Sequence, residues 1–182
     1  GMDKDRSLMR IIELENPASA IIFSNTKSMV HYVSNLLKNF GYDADELSAD
    51  LSQAERERVL KRVRQGALRF LVATDVAARG LDIPDLSHVI QYEPPANIEG
   101  YIHHAGRTGR AGATGIAMSL VTEFEWFTLN KIAKAFGIEM QERPLPTPSD
   151  VETLVAERVT VLLEARLRDR DALKRERSQR FV

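Results

Sequence analysis

The chain lacks three features that would each assign it to a class of protein. It contains no cysteine, which excludes disulfides and thiolate metal sites. It contains no apolar run long enough to span a bilayer, and its start has no signal-peptide pattern. These absences are compatible with a reducing compartment. We therefore predict a cytoplasmic protein with no membrane partner, and we assign no metal ligand to the chain.

Two further absences concern function. The formal net charge is −1, so the chain lacks the basic excess that many nucleic-acid-binding proteins show. A net value does not exclude a local basic stripe, however, because it hides the distribution of charge. The chain also has no Gly-x-x-x-x-Gly-Lys-Ser/Thr loop, the segment that cradles phosphates in many nucleotide hydrolases. We therefore expect the chain not to hydrolyse a nucleotide by itself.

The order of its apolar runs predicts an α/β domain. Short runs typical of buried strands alternate with segments whose apolar residues recur at helical spacing. Strands are predicted at 20–23, around Leu47, and at 70–74, 88–92 and 116–121, and helices at 3–15, 27–40, 53–65, 98–105 and 123–136. This alternation is typical of a mainly parallel sheet covered on both faces, with ligands at the carboxyl ends of the strands. The residues with unusual chemistry do follow predicted strands, and we expect a loop over 75–85.

A proline-rich connector separates residues 1–143 from a helical extension. Three prolines stiffen residues 144–150. Over 151–182 the pattern is helical, and it contains one apolar stripe formed by Val151, Leu154, Val155, Val159, Leu162 and Leu163. A stripe this wide has to be buried. Two alternatives stay open: the helix folds back onto its own domain, or it belongs to a truncated dimerisation element that would make the protein a homodimer.

The densest functional signal is the segment His103–Gly112, in which two arginines lie three residues apart among three glycines. Glycine lets a backbone approach a ligand closely. A guanidinium group holds phosphate oxygens in a fork that lysine cannot copy. Arg107 and Arg110 are therefore candidates for arginine fingers, which neutralise charge on a transferring phosphoryl group. Spacing alone favours a solvated Gly/Arg turn equally well.

A second candidate site, residues 73–83, follows a predicted buried strand. Thr74 can donate to a phosphate, Arg79 can pair with one, and Asp82 can accept from ribose hydroxyls. The alternative is that Asp82 forms a turn and Arg79 is a surface charge. That alternative is common for any one of these residues and less common for all three in one loop.

The segment Asp50–Arg56 predicts the start of a helix. Ser52 suits the N-cap position, and Glu55 completes a capping box three residues later. Gln53 and Arg56 then lie at the start of the helix. The capping role of Ser52 and Glu55 is compatible with a second role for this segment, in which Gln53 and Arg56 project toward RNA.

Together these blocks resemble the C-terminal RecA-like domain of bacterial-type DEAD-box ATP-dependent RNA helicases. The similar segments are Ile22–Thr26 to motif IV, Gln53 and Arg56 to a glutamine–arginine pair, Thr74–Asp82 to motif V and His103–Arg110 to motif VI. They occur in the family's order across residues 3–143. The resemblance implies a RecA-like three-layer αβα domain. His103 also favours this family over the related DEAH/DExH branch, which usually has glutamine at that place.

The resemblance implies that the chain is the C-terminal half of an ATP-dependent RNA helicase. The Asp-Glu-Ala-Asp run and the adenine-reading glutamine motif are absent, and in the family they belong, with the phosphate loop, to an N-terminal RecA-like domain. That domain is the implied partner, and ATP with Mg²⁺ would bind mainly to it. Single-stranded RNA would lie across both domains, and closure of the cleft between them would separate short duplexes locally.

The residues that the resemblance implies form three overlapping groups. Catalytic roles fall to Arg107, Arg110 and His103, the last as a link between the nucleotide and the RNA. Nucleotide contacts fall to Gly80, Asp82, Arg107 and Arg110. RNA contacts fall to Asn25, Thr26, Gln53, Arg56, Thr74 and Arg79. The RNA contacts would go to the sugar–phosphate backbone, so they would give little sequence preference.

The chain departs from the family pattern at three places. His104 stands where arginine is usual, which puts one interdomain or backbone contact in doubt. Ala105 stands where an aliphatic residue is usual, and Ser48-Ala49 replaces a histidine–glycine pair. Both candidate fingers are intact.

Two alternative functions come from other classes. The first is a stand-alone RNA- or protein-binding module, although a pure binding module does not need two arginine fingers. The second is the corresponding domain of a DNA-directed helicase, but the match across motifs V and VI favours RNA.

Overall fold

A computed structural model of the chain describes residues 3–81, 83–84, 86–95, 98–109 and 114–179. Along the chain these residues form α1 (Lys4–Glu15), β1 (Ala20–Phe23), α2 (Lys27–Asn39), β2 (Ala44–Leu47), α3 (Gln53–Arg64), β3 (Phe70–Ala73), α4 (Asp75–Ala78), β4 (His88–Gln91), α5 (Ile98–Ala105), β5 (Ile116–Ser119), α6 (Glu123–Ala135) and α7 (Pro148–Gln179). The predicted strands and helices are all present, and the predicted ends differ from these by no more than two residues in the first 143 residues.

The strands form one parallel sheet in the order β2-β3-β1-β4-β5. At its centre Ile21 lies opposite Leu71 on one side and Val89 on the other. Every residue of β1, β3 and β4 is buried, because helices cover both faces. Crossovers between parallel strands are right-handed. The chain moves toward the β2 side of the sheet through α2 and toward the β5 side through α3 and α5. Helix α2 therefore lies on one face of the sheet, and α3 and α5 lie on the other. The predicted α/β class with a parallel sheet is confirmed.

The predicted loop over 75–85 was wrong at its start, where the one-turn helix α4 stands instead. Thr74 caps this helix, and its Oγ1 accepts the N–H of Ala77 at 3.2 Å. Asp75 adds an acidic side chain to the first turn, which complements the helix dipole.

The predicted capping box of α3 is confirmed. Ser52 Oγ accepts the N–H of Glu55 at 3.3 Å, and Glu55 Oε2 accepts the N–H of Ser52 at 2.9 Å. Hydrogen bonds from Ser52 keep the pKa of Glu55 below its ordinary value. The cap fixes the start of α3 and thereby the positions of Gln53 and Arg56 in its first turn.

The chain divides into two compact units, residues 1–8 with 17–143, and residues 9–16 with 144–182. The first unit contains the sheet. In the second, α7 begins at Pro148, earlier than the predicted residue 151, because Thr147 Oγ1 accepts the N–H of Asp150 and Asp150 Oδ2 accepts the N–H of Thr147. The functional division at 143, 150 and 182 stays a prediction.

Arg158 joins the two segments of the second unit. Its guanidinium donates to the carbonyl oxygens of Glu13 and Leu14, the latter at 2.6 Å. Both carbonyls lie in the last turn of α1, where a helix provides no backbone donors of its own, so Arg158 acts as its C-terminal cap. The first residues of the predicted apolar stripe, Val151, Leu154 and Val155, are half-buried, whereas Val159, Leu162 and Leu163 are 48%, 64% and 56% exposed. The stripe is therefore covered at its start and open further along.

Across the residues that the structure describes, no helix is both long and apolar enough to cross a membrane.

Candidate functional site

The residues predicted to contact RNA follow three strands that are neighbours in the sheet. Gln53 and Arg56 come after β2, Thr74 and Arg79 after β3, and Asn25 and Thr26 after β1. Because all the strands are parallel, their carboxyl ends lie at one edge. The sheet order therefore brings together residues that are up to 54 positions apart in sequence, from Asn25 to Arg79.

Asn25 connects the end of β1 to the segment after β4, and Thr26 caps the helix that follows β1. The N–H of Asn25 donates to Glu93 Oε2 at 2.9 Å, and its Nδ2 donates to the carbonyl of Pro94 at 3.2 Å. Thr26 is the N-cap of α2, and its Oγ1 accepts the N–H of Met29 at 3.2 Å. Both residues have structural roles at the edge, and both remain exposed.

The other RNA candidates differ in exposure. Gln53 is exposed and its Nε2 donates to Glu57 Oε1 at 3.4 Å. Arg56 is half-buried. Thr74 is 9% exposed and uses one oxygen lone pair to cap α4, which leaves its O–H able to donate.

Asp75 lies in the candidate segment after β3 and faces the other candidate segment, His103–Gly112. Its Oδ2 accepts from Arg79 Nη2 at 3.1 Å. Its Oδ1 lies 3.9 Å from Nδ1 of His103 and 3.2 Å from Nε2 of His104. One carboxylate thus faces a residue predicted to contact RNA and a residue predicted to link RNA to nucleotide. Sequence reasoning missed this role, since nothing in the chain order pairs residue 75 with residues 103 and 104.

Carboxylates accept hydrogen bonds from several of the candidate RNA residues at this edge of the sheet. Arg79 pairs with Asp75, Gln53 donates to Glu57, and the N–H of Asn25 donates to Glu93. Lys27 also forms an ion pair with Asp50 in the segment after β2. A phosphate approaching this edge has to displace or out-compete carboxylates, which weakens its attraction to the isolated domain.

Arg107, a predicted arginine finger, is 8% exposed. Its Nη1 donates to the carbonyl of Leu81 at 3.1 Å and its Nη2 to the carbonyl of Ala78 at 3.2 Å. This guanidinium therefore joins the two candidate loops, residues 73–83 and the segment that begins at His103. The contacts use two of its five N–H donors.

Gly80 is the other described residue of the nucleotide group, and His103 is the predicted link between the nucleotide and the RNA. Gly80 has φ +72°, a left-handed backbone that favours glycine, although a Cβ there would meet nothing within 4 Å. The His103 side chain is 48% exposed. Asp82 and Arg110, the other two predicted nucleotide residues, lie outside the described residues. An arginine, a histidine and a glycine backbone are a donor set that fits a phosphate group.

His104 is buried, with 3% of its surface exposed. Its ring stacks on Phe23, with centroids 3.7 Å apart and planes 4° from parallel. Burial lowers the pKa of His104 to about 4, although the Asp75 carboxylate opposes the shift. The imidazole is therefore neutral near pH 7, where the family's usual arginine would be charged.

Thr108 and Gly115 lie close together after α5, and sequence reasoning missed both. Thr108 Oγ1 donates to the carbonyl of Leu86 and lies 3.3 Å from the carbonyl of Ser87. A Cβ at Gly115 would lie 2.0 Å from Thr108 Oγ1 and 2.5 Å from the nitrogen of Gly109. An isolated glycine just before a predicted strand was the available signal for this close approach.

The chain is similar to known helicases. The family model described as "Helicase conserved C-terminal domain" matches residues 3–112. The chain is 44% identical over 140 residues to the DEAD-box ATP-dependent RNA helicase CshA of Geobacillus kaustophilus, a match that covers 77% of this chain and 30% of CshA. It is 40% identical over 172 residues to the ATP-dependent RNA helicase DbpA of Bacillus subtilis, covering 94% of this chain and 35% of DbpA.

The fold also matches a solved structure, that of S. cerevisiae Dbp5 bound to RNA and ADP BeF3. The TM-score is 0.74 at 37% identity, and the match covers 85% of this chain and 42% of that chain. This likeness confirms the predicted RecA-like domain. The chain spans about a third of the length of the two curated relatives.

Proposed function

The chain belongs to the family of helicase conserved C-terminal domains, in its DEAD-box branch, and from that membership we propose that it acts as the second RecA-like domain of an ATP-dependent RNA helicase. The observation that carries the proposal is the junction of its two candidate loops. Arg107 donates to the backbone of the loop after β3, and Asp75 of that loop faces both histidines of α5. We propose that these contacts transmit a change at one loop to the other.

On the RNA side, we propose that Asn25, Thr26, Gln53, Arg56, Thr74 and Arg79 hold the sugar–phosphate backbone of a single strand. Their grouping after three neighbouring strands supports this assignment. The group offers hydroxyl, amide and guanidinium donors, which suit phosphate oxygens and ribose hydroxyls and do not read bases. We therefore expect little sequence preference.

On the nucleotide side, Gly80, Asp82, Arg107 and Arg110 would hold ATP with Mg²⁺, together with the N-terminal RecA-like domain of the same protein. Bound ATP would supply the free energy of phosphoryl transfer. The role of Arg107 and Arg110 is to place guanidinium charge beside the terminal phosphate. His103 would couple nucleotide binding to RNA binding through Asp75. The cleft between the two domains would close over RNA and separate short duplexes locally. A cytoplasmic location stays a prediction.

The test is an RNA-stimulated ATPase assay on two samples. This chain alone should show no turnover above background, because it contains no phosphate loop. The same chain joined to an N-terminal RecA-like domain of a DEAD-box relative should hydrolyse ATP when RNA is added. Turnover by the pure chain would refute the proposal, as would a joined protein that binds RNA and never hydrolyses ATP.

A stand-alone RNA- or protein-binding module is the competing function. Under the helicase proposal each site is shared with a second domain, so RNA and ATP should each bind this chain with a Kd of roughly 10⁻⁴ M or weaker, as in non-specific electrostatic contacts. The carboxylates that engage Arg79 and Gln53 act in the same direction. A tight one-to-one RNA titration at physiological salt would favour the binding module instead.

The extension α7 supports a further proposal, that of a homodimer. Val159, Leu162 and Leu163 are exposed along one stretch of the helix, and exposed apolar surface of this kind favours association. Replacing Leu162 and Leu163 by aspartate should convert dimers to monomers in sedimentation experiments at high micromolar concentration. The matched control is Glu152→Asp at an exposed position near the start of the helix. A wild-type chain that stays monomeric, also when it is extended past Val182, would leave the fold-back alternative.

A further inference from the structure

A line of polar side chains crosses the first unit from β5 to the loop after β3. Ser119 Oγ lies 2.5 Å from Gln91 Oε1, and Gln91 Nε2 lies 3.4 Å from Nδ1 of His104. On the other side of the ring, Nε2 of His104 lies 3.2 Å from Asp75 Oδ1, and Asp75 Oδ2 accepts from Arg79. Gln91 and His104 are 2% and 3% exposed, so water does not substitute for these partners.

The position of the proton on His104 follows from the carboxylate. The contact from Nε2 to Asp75 is close, but it lacks the alignment of a well-formed hydrogen bond. An unprotonated Nε2 would aim its lone pair at a negative oxygen in a buried site, which is repulsive. Nε2 therefore carries a proton. In the neutral ring, Nδ1 is then the acceptor, and it needs a donor.

Gln91 supplies that donor. Its Nε2 faces Nδ1 of His104, which directs its Oε1 to Ser119, whose hydroxyl donates. The line then has one arrangement of protons: Ser119 to Gln91, Gln91 to His104, and His104 to Asp75. The Asp75 end sets this order, and the hydroxyl of Ser119, which can donate or accept, accommodates it.

The ring has reasons to stay neutral in addition to its burial. It stacks face to face on Phe23, an apolar surface. Arg107 and His103 add positive charge nearby, whereas Asp75 favours a second proton. The pKa of about 4 gives the outcome of this balance. His104 thus presents an N–H to Asp75 at close range and adds no charge to the site.

We infer that His104 is a positioning residue, fixed by Gln91 as the neutral Nε2–H tautomer, and that it orients Asp75 so that Asp75 holds Arg79 in place at the sheet edge. One carboxylate oxygen faces the imidazole, and the other remains for the guanidinium. An arginine in place of His104 would instead bring its own charge to Asp75 and compete with Arg79 for it. The departure from the family pattern therefore changes how Arg79 is held.

The first experiment uses this chain alone. Long-range ¹H–¹⁵N correlation spectra at pH 7, with the signals of His104 assigned among the four histidines by their loss in His104→Phe, should show the His104 ring neutral and protonated at Nε2. Gln91→Glu places a carboxylate at Nδ1 as well, so the spectra should then show an imidazolium at position 104. Gln141→Glu makes the same change at an exposed glutamine and should leave the His104 signals unchanged.

Three results would overturn the inference. They are a His104 ring protonated at Nδ1 alone, an imidazolium in the wild-type chain at pH 7, and a Gln91→Glu ring that stays neutral. If Gln91→Glu fails to fold, the wild-type tautomer still decides the question.

The second experiment concerns Arg79 and rests on the proposed function. In the two-domain enzyme, His104→Phe keeps the stacking surface and removes both ring nitrogens. It should raise the KM for RNA roughly tenfold, as the loss of one hydrogen bond to a charged group does, and should lower kcat by a smaller factor. Arg79→Ala should do the same, and the double variant should be little worse than either alone. His31→Phe is the control at an exposed histidine.

Additive effects of His104→Phe and Arg79→Ala, or no change in the KM for RNA, would refute the role of His104 in holding Arg79. A wild-type enzyme without any RNA-stimulated turnover would refute the proposed function instead. The tautomer measurement would be unaffected by that failure, so the two failures are distinguishable.

Discussion

Replacing Arg107 or Arg110 by alanine should lower the kcat of the two-domain enzyme by about 10³-fold or more, which is the scale of an arginine finger. The reason is that each would remove guanidinium charge from the developing charge on the phosphoryl group. RNA-stimulated ATP hydrolysis at saturating ATP and RNA is the measurement. A loss of less than a few-fold for both variants would contradict the finger role.

The structure adds a second consequence for Arg107. Its guanidinium also donates to the carbonyls of Ala78 and Leu81, so Arg107→Ala removes the donor from both. A buried acceptor left without its donor costs roughly 1–3 kcal/mol. Arg107→Ala should therefore also lower the free energy of unfolding of this chain. Arg107→Lys tests the two roles together, because it keeps the charge and loses the fork.

The matched control for both variants is Arg64→Ala. Arg64 is exposed at the end of α3, at the opposite end of that helix from Gln53. Its replacement should change neither kcat nor stability by a measurable amount. If Arg64→Ala reduced kcat as strongly as Arg107→Ala, the loss would reflect general damage to the domain and not a finger.

The sequence was sufficient for the elements of the fold because its central strands are apolar along their whole length. Runs such as Ala20–Phe23 and Phe70–Ala73 are buried on both faces and cannot be placed elsewhere. The order β2-β3-β1-β4-β5 was not predicted, since it depends on which strands pair across the chain. Helix α4 was missed because a single turn gives too few residues for a periodic pattern.

The grouping of the candidate RNA residues was predictable, but their contacts were not. The rule that ligands sit at the carboxyl ends of parallel strands predicted that the residues after β1, β2 and β3 would meet at one edge, and the sheet order brings them together there. That this edge binds RNA stays a prediction. The rule could not show that Asp75 would face His103 and His104, or that Arg107 would bond to the backbone at Ala78, because these contacts join segments about 30 residues apart in sequence. His104 was noticed only as a departure from a pattern. Its burial against Phe23 needed the tertiary structure.

Replacing Gly115 by alanine should destabilise the chain by roughly 1–3 kcal/mol, the usual cost of forcing an extra carbon into a packed position. The new Cβ would lie 2.5 Å from the nitrogen of Gly109, a backbone atom that cannot rotate away, and 2.7 Å from Cγ2 of Thr108. The displaced segment carries His103 and Arg107, so the two-domain enzyme should also lose most of its activity. Chemical denaturation followed by circular dichroism measures the first effect, and the ATPase assay measures the second.

Two further variants separate this clash from a general intolerance of change before β5. Thr114→Ser removes one methyl group at the neighbouring exposed position and should stay within about 0.5 kcal/mol of the wild type. Thr108→Ala removes Oγ1 and Cγ2, two of the three close neighbours of the new carbon, but leaves the nitrogen of Gly109. In the double variant of Gly115→Ala with Thr108→Ala, the total loss should therefore be less than the sum of the separate effects, because the clash with Thr108 no longer exists. A Gly115→Ala chain as stable as the wild type would mean that Thr108 and Gly109 yield freely, and that the contacts of Thr108 with Leu86 and Ser87 do not hold them in place.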